Sequence, residues 1–123
     1  MKKKPGIQWA KNPEKHDYPA AQAYLGLIYE SKEAARLVRK LKHAKVIEVK
    51  AADIFRASGL SLLGLSNANV EKEKKKILEG TELSPLLLVR DPKNGKVVVA
   101  DGYHRLCAIY SFDEEAAVPC KLA

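Results

Sequence analysis

The sequence predicts an α+β fold: a small mixed sheet with helices, preceded by an N-terminal helical hairpin. Three observations carry this. Apolar residues recur at helical spacing through residues 19–41. After residue 45 the period shortens, and short β-branched or leucine-rich runs alternate with helical segments. Asn94-Gly95 separates two of those runs, the strongest short-range signal for a hairpin.

Residues 1–17 read as irregular, with Pro5, Gly6, Asn12 and Pro13 as breakers. Pro19 suits the first turn of a helix over 19–29, whose apolar stripe is Ala20, Ala21, Ala23, Tyr24, Leu27 and Ile28. Ser31 is the expected N-cap of a second helix to about residue 41. Its apolar side is Ala34, Ala35, Leu37, Val38 and Leu41, with Arg36, Arg39, Lys40 and His43 opposite. Trp9, Tyr18, Tyr24 and Tyr29 are expected to pack this extension, residues 1–44, onto the domain of residues 45–123.

Val46, Ile47 and Val49 mark a strand over 45–50, and 51–59 reads as a turn or a single helical turn. The stretch 60–65 is apolar but interrupted by Gly64. A charged helix over 70–79 should end at Gly80 in a left-handed cap; its lysines alternate with glutamates, as on a solvated face. Leu86-Leu87-Leu88-Val89-Arg90 is a continuous apolar strand of the kind buried on both faces. Residues 96–100 return as its partner, 103–110 form a helix, and 117–122 a last strand.

The chain has 123 residues, enough for a core without metal or disulfide staples. With 46% hydrophobic and 30% charged residues it is not of disordered composition. The longest apolar stretch is too short to span a bilayer, and Pro5-Gly6 follows the basic start where a secretory signal would be apolar. A cytoplasmic protein with reduced Cys107 and Cys120 is expected, and their spacing fits no zinc pattern. The net charge of +7 lies wholly in residues 1–50, which hold 12 Lys/Arg against 5 Asp/Glu; residues 51–123 balance at 10 each. That excess suits an acidic partner such as nucleic acid. No aromatic residues interleave with it as a stacking platform needs, so a solvated helix face is the simpler reading.

The stretch that carries chemistry is Asp101-Gly102-Tyr103-His104-Arg105, where a buried strand ends and a helix begins at once. Free N–H groups and the helix dipole make such a turn an anion site. Gly102 lets a ligand approach the backbone, and His104 and Arg105 supply donors; arginine can fork onto two phosphate oxygens. Asp101 either caps the helix or holds a ribose hydroxyl or a metal ion. The competing reading leaves Asp101 as a cap, with His104 and Arg105 paired to Asp113 or Glu114. His16 and His43 read as surface residues, Asp113-Glu114-Glu115 as a solvated turn, and no residues are assigned as metal ligands. No nucleophile–histidine arrangement stands out.

An apolar strand, Asp-Gly-x-His-Arg, a small-residue helix and a strand at Val118-Pro119-Cys120 together resemble the ParB/sulfiredoxin superfamily. Val46-Ile47-Glu48-Val49, Ala52-Asp53-Ile54-Phe55-Arg56, the helix at 70–78 and the run from Leu83-Ser84-Pro85 extend the likeness over residues 45–122. The resemblance implies a nucleotide ligand: CTP in partition ParB proteins, ATP in sulfiredoxins, ADP in a free-serine kinase. It implies Gly102, Tyr103, His104 and Arg105 as phosphate binders beside Asp101, with Arg56 as a weaker carry-over; the cofactor stays open, a nucleotide with Mg2+ being the candidate. Tyr103 stands where sulfiredoxins carry their reactive cysteine, which argues against peroxiredoxin repair. His104-Arg105 replaces the ParB arginine pair, and the helix-turn-helix and dimer domains of partition ParB proteins have no counterpart in these residues. Glu48 and Asp53 are the nearest candidate bases for phosphoryl transfer or nucleotide hydrolysis. The alternative is a nucleic-acid-binding or nuclease-like module that grips a backbone phosphate with the same turn.

Overall fold

A computed structural model describes residues 6–62 and 67–123. Met1-Lys2-Lys3-Lys4 and the second half of the apolar stretch expected at 60–65 lie outside them. The elements are α1 (Asp17–Leu25), α2 (Ser31–His43), β1 (Ile47–Lys50), α3 (Ala51–Ser58), α4 (Ala68–Leu78), β2 (Leu86–Asp91), β3 (Lys96–Asp101), α5 (Tyr103–Phe112) and β4 (Ala117–Leu122). The mixed α+β class is as the sequence predicts.

The four strands run in the order β1-β4-β2-β3. β1 and β4 are antiparallel, with Ile47 opposite Cys120; β2 and β4 are parallel, with Leu86 opposite Cys120. β2 and β3 form the hairpin that Asn94-Gly95 announces. Gly95 takes a positive φ of 64° and the Asn94 amide donates to Asp91 Oδ2 at 2.8 Å.

β2 explains the layering. Its side chains alternate between faces, and both faces are apolar. Leu86 and Leu88, with Val99, join a core built by α3, α4 and α5. Leu87 and Val89, with Val98 and Ala100, join a second core built by α1 and α2. The helical hairpin therefore covers one face of the sheet, and position 44/45 marks a change of element type within continuous packing.

Several local expectations change. The first helix begins two residues earlier than Pro19 and stops at Leu25. Ser31 is the first helical residue; Glu30 occupies the cap position without a side-chain bond. Residues 51–58 form two helical turns closed by Gly59 at φ 66°, more than the single turn expected. Gly80 does take the left-handed conformation, at φ 76°. Tyr18 and Tyr29 pack against the second core and Trp9 against the first, whereas Tyr24 stays 42% exposed. Among the described residues no helix is long and apolar enough to cross a membrane.

Candidate functional site at the start of α5

β3 ends at Asp101, and Gly102 turns the chain with φ 105° into α5. No side chain caps the helix, and the first bond inside it runs from Leu106 N–H to the Gly102 carbonyl. The N–H groups of Tyr103, His104 and Arg105 thus have no partner within the helix. Their dipoles leave positive potential at the turn.

A cleft of about 430 Å³ opens at this point, lined by Val99 to His104 together with Tyr24 of α1 and Leu60 of the loop after α3. Its walls are mainly apolar, with the polar turn at one end. The Tyr103 hydroxyl donates to the Ser61 carbonyl, which ties that loop to α5. The Tyr103 and His104 rings lie 5.5 Å apart.

Of the predicted residues, Asp101, Gly102, Tyr103 and His104 meet in this cleft. Arg105 does not line it. Its guanidinium Nη2 donates to Asp101 Oδ2 at 2.9 Å, with the two side chains 15% and 18% exposed. It pairs with neither Asp113 nor Glu114 through its guanidinium in any ion pair among the described residues. Burial pushes the Asp101 carboxyl above its usual range, and Arg105 offsets this only in part. Arg56 is outside the cleft, 84% exposed and 3.6 Å from Asp53. Glu48 sits on β1, at the sheet edge opposite β3, and Asp53 does not line the cleft either. The carboxylate nearest the turn is Asp101 itself.

Tyr24 and Leu60 were not legible as site residues, because only the packing of α1 and α3 against β3 brings them there. The Asp101–Arg105 pair had a signal: the two stand four residues apart, a helical pairing distance.

Cys107 and Cys120 are both fully buried. Burial pushes the Cys120 thiol up to about 11. A thiol reagent should therefore label both slowly in the native chain and rapidly after unfolding. Fast native labelling of Cys107, read by mass spectrometry, would restore a redox role.

No protein-family model, curated protein or solved structure matches the chain.

Proposed function

We propose that the chain binds a nucleotide or another phosphorylated small molecule at the 101–105 turn. The observation that carries this is a cleft of ligand size lined by the turn that carries the unpartnered N–H groups of a helix start. The phosphate lies at the turn, held by the Tyr103 and His104 N–H groups and the His104 imidazole. The flat, apolar part of the ligand lies between Tyr24, Leu60 and Val99. Arg105 holds Asp101 and contacts the phosphate only by releasing it. The resemblance to ParB/sulfiredoxin proteins supports a nucleotide as the phosphorylated ligand. Phosphoryl transfer or hydrolysis would require Asp101 as the base, since Glu48 and Asp53 stand outside the cleft.

The nucleic-acid alternative draws on the exposed α2 residues Arg36, Arg39 and Lys40. Arg36 is already engaged by Glu33 through a bidentate pair. Thermal shift with ATP or CTP, with and without Mg2+, separates the readings. A ligand of the folded state should raise Tm by several degrees at 100 times its Kd. His104→Ala should weaken binding about tenfold, roughly 1.5 kcal/mol, as for one charge-assisted hydrogen bond. Arg36→Glu with Arg39→Glu should leave it unchanged, because exposed charges beyond about 8–10 Å are screened. Salt-sensitive DNA or RNA binding that this pair abolishes would replace the proposal with the alternative.

A further inference from the structure

The two charged helices of the chain treat their lysines differently. On α4, Lys74 is met by Glu71, Lys75 by Glu79 and Lys76 by Glu73. Residues 31–45, which form α2 and its exit, carry six Lys/Arg against one acid, Glu33, and Arg36 takes that acid. Arg39, Lys40, Lys42, His43 and Lys45 are all exposed, and among the described residues none of them forms an ion pair. The helix dipole does not account for so many cations. It leaves only about half a negative charge at the end of α2. Lys121, 6% exposed, already serves that end by donating to the Lys42 carbonyl at 3.1 Å. The face keeps an uncompensated positive charge.

A pocket opens in the same face. It holds about 340 Å³ between α1 and α2, lined by Tyr18, Pro19, Gln22, Ala23, Val38 and Lys42, and it shares no lining residue with the cleft at the 101–105 turn. Tyr18, Pro19, Ala23 and Val38 give it apolar walls, and Lys42 and Gln22 supply the polar groups. Lys42 Nζ stands over the Tyr18 ring, 5.8 Å from its centre, and Lys121 Nζ stands 5.7 Å from the same centre. Arg39 is three residues before Lys42 on α2, a neighbour on the helix surface.

An apolar pocket edged by unpaired cations is complementary to an apolar side chain flanked by carboxylates. Nucleic acid fits it less well. A base needs a ring face to stack on, and Tyr18, the aromatic residue of this pocket, already has ammonium groups over its ring. We propose that the α1–α2 face docks an acidic segment of a protein partner. An apolar residue of the segment enters the pocket against Tyr18, Pro19 and Val38, and its carboxylates meet Lys42 and Arg39. This goes beyond the phosphate reading and uses none of its residues.

A random peptide library displayed on phage and selected against the intact chain, without nucleotide, tests this. Enriched sequences should place Asp or Glu beside a leucine or an aromatic residue, and a labelled peptide of the consensus should bind in fluorescence anisotropy. Lys42→Glu and Arg39→Glu alter exposed side chains, so both variants should fold, as circular dichroism checks. Each turns an attraction into a like-charge contact and should weaken the peptide at least tenfold. Ala23→Leu fills the pocket from an exposed helix position and should weaken it as well. Lys72→Glu makes the same charge change on α4, which packs on the other face of the sheet, and should leave binding nearly unchanged. Selection without acidic enrichment, equal losses in Lys42→Glu and Lys72→Glu, or binding indifferent to Ala23→Leu would overturn the proposal. So would an oligonucleotide that binds more tightly than the peptide and is lost in Lys42→Glu, which would give the face to nucleic acid. Because no residue of the 101–105 turn takes part, these outcomes are independent of whether the turn binds phosphate.

Discussion

Arg105→Ala should lower the stability of the folded chain by about 3 kcal/mol at neutral pH. Breaking a buried pair leaves the other charge stranded, which typically costs ~3–5 kcal/mol. The lower end applies, because Asp101 and Arg105 keep 18% and 15% exposure. Arg105 Nε is also buried without a partner, so the pair itself is imperfectly satisfied. Removing both charges should therefore be far milder than removing one: Asp101→Leu with Arg105→Met should recover most of the loss. Denaturant melts would read both numbers, and a single-variant loss below about 1 kcal/mol would show that solvent screens the pair.

The pH dependence of that loss has a definite sign. The folded Asp101 titrates above its ordinary value of 3.8 because burial disfavours its charge, and Arg105 is the largest opposing influence. Without Arg105 the folded value moves higher still. A raised folded value means that the folded state holds the proton more tightly than the unfolded chain. The resulting stability is fully present below the ordinary value and lost as pH rises through the folded one. The penalty of Arg105→Ala should consequently be largest near neutrality and fade as pH falls toward 4. A penalty that stays constant across that window would mean Asp101 is not the stranded charge.

Gly102→Ala should cost a similar amount, about 3 kcal/mol, for a different reason. At φ 105° the backbone is in a region that residues with a Cβ avoid, a strain of roughly 1–2 kcal/mol. The added Cβ would also stand 2.8 Å from Leu86 Cγ and 2.8 Å from Arg105 Nη2. Leu86 is fully buried in the core and the guanidinium is held by Asp101, so neither yields freely. Overpacking of this kind adds ~1–3 kcal/mol. Gly59→Ala is the control: its φ is 66° but nothing lies within 4 Å of its Cβ, so only the backbone strain applies. Equal losses in the two variants would mean that the turn does not press on Leu86. The same crowding should misplace the Tyr103 and His104 N–H groups, so Gly102→Ala should lose binding of the proposed phosphorylated ligand even at temperatures where it remains folded.

The sequence was most readable where one local rule decides the outcome. Asn94-Gly95 set the β2–β3 hairpin, and Gly80 ended its helix, because positive φ is a property of single residues. The unbroken apolar run at residues 86–89 reads as a strand of the buried kind, and α1 with α2 covers one of its faces. α3 was read short because only Ile54 and Ser58 on it are buried between the first residue and the cap, too few to show a period. The site was readable only along the chain. Asp101 to His104 share a turn, so their meeting is local, whereas Tyr24 and Leu60 arrive through tertiary packing. The chemistry of Arg105 points to a phosphate, while its four-residue spacing from Asp101 points to the pair that the fold makes.

The place of β4 in the sheet has a consequence for how the chain is made. Among the described strands it is the last to be synthesised, yet it lies between β1 and β2, and Ala123 just beyond it exchanges backbone bonds with Leu88 and Arg90. A nascent chain on the ribosome can close the β2–β3 hairpin early. It cannot join β1 to that hairpin until residues 117–122 emerge, since only β4 bridges them. Pairing Ile47 with Cys120 closes a very long loop, the kind of non-local contact that slows folding. Before then, the leucine-rich β2 has an open edge, the kind of edge that pairs with other chains.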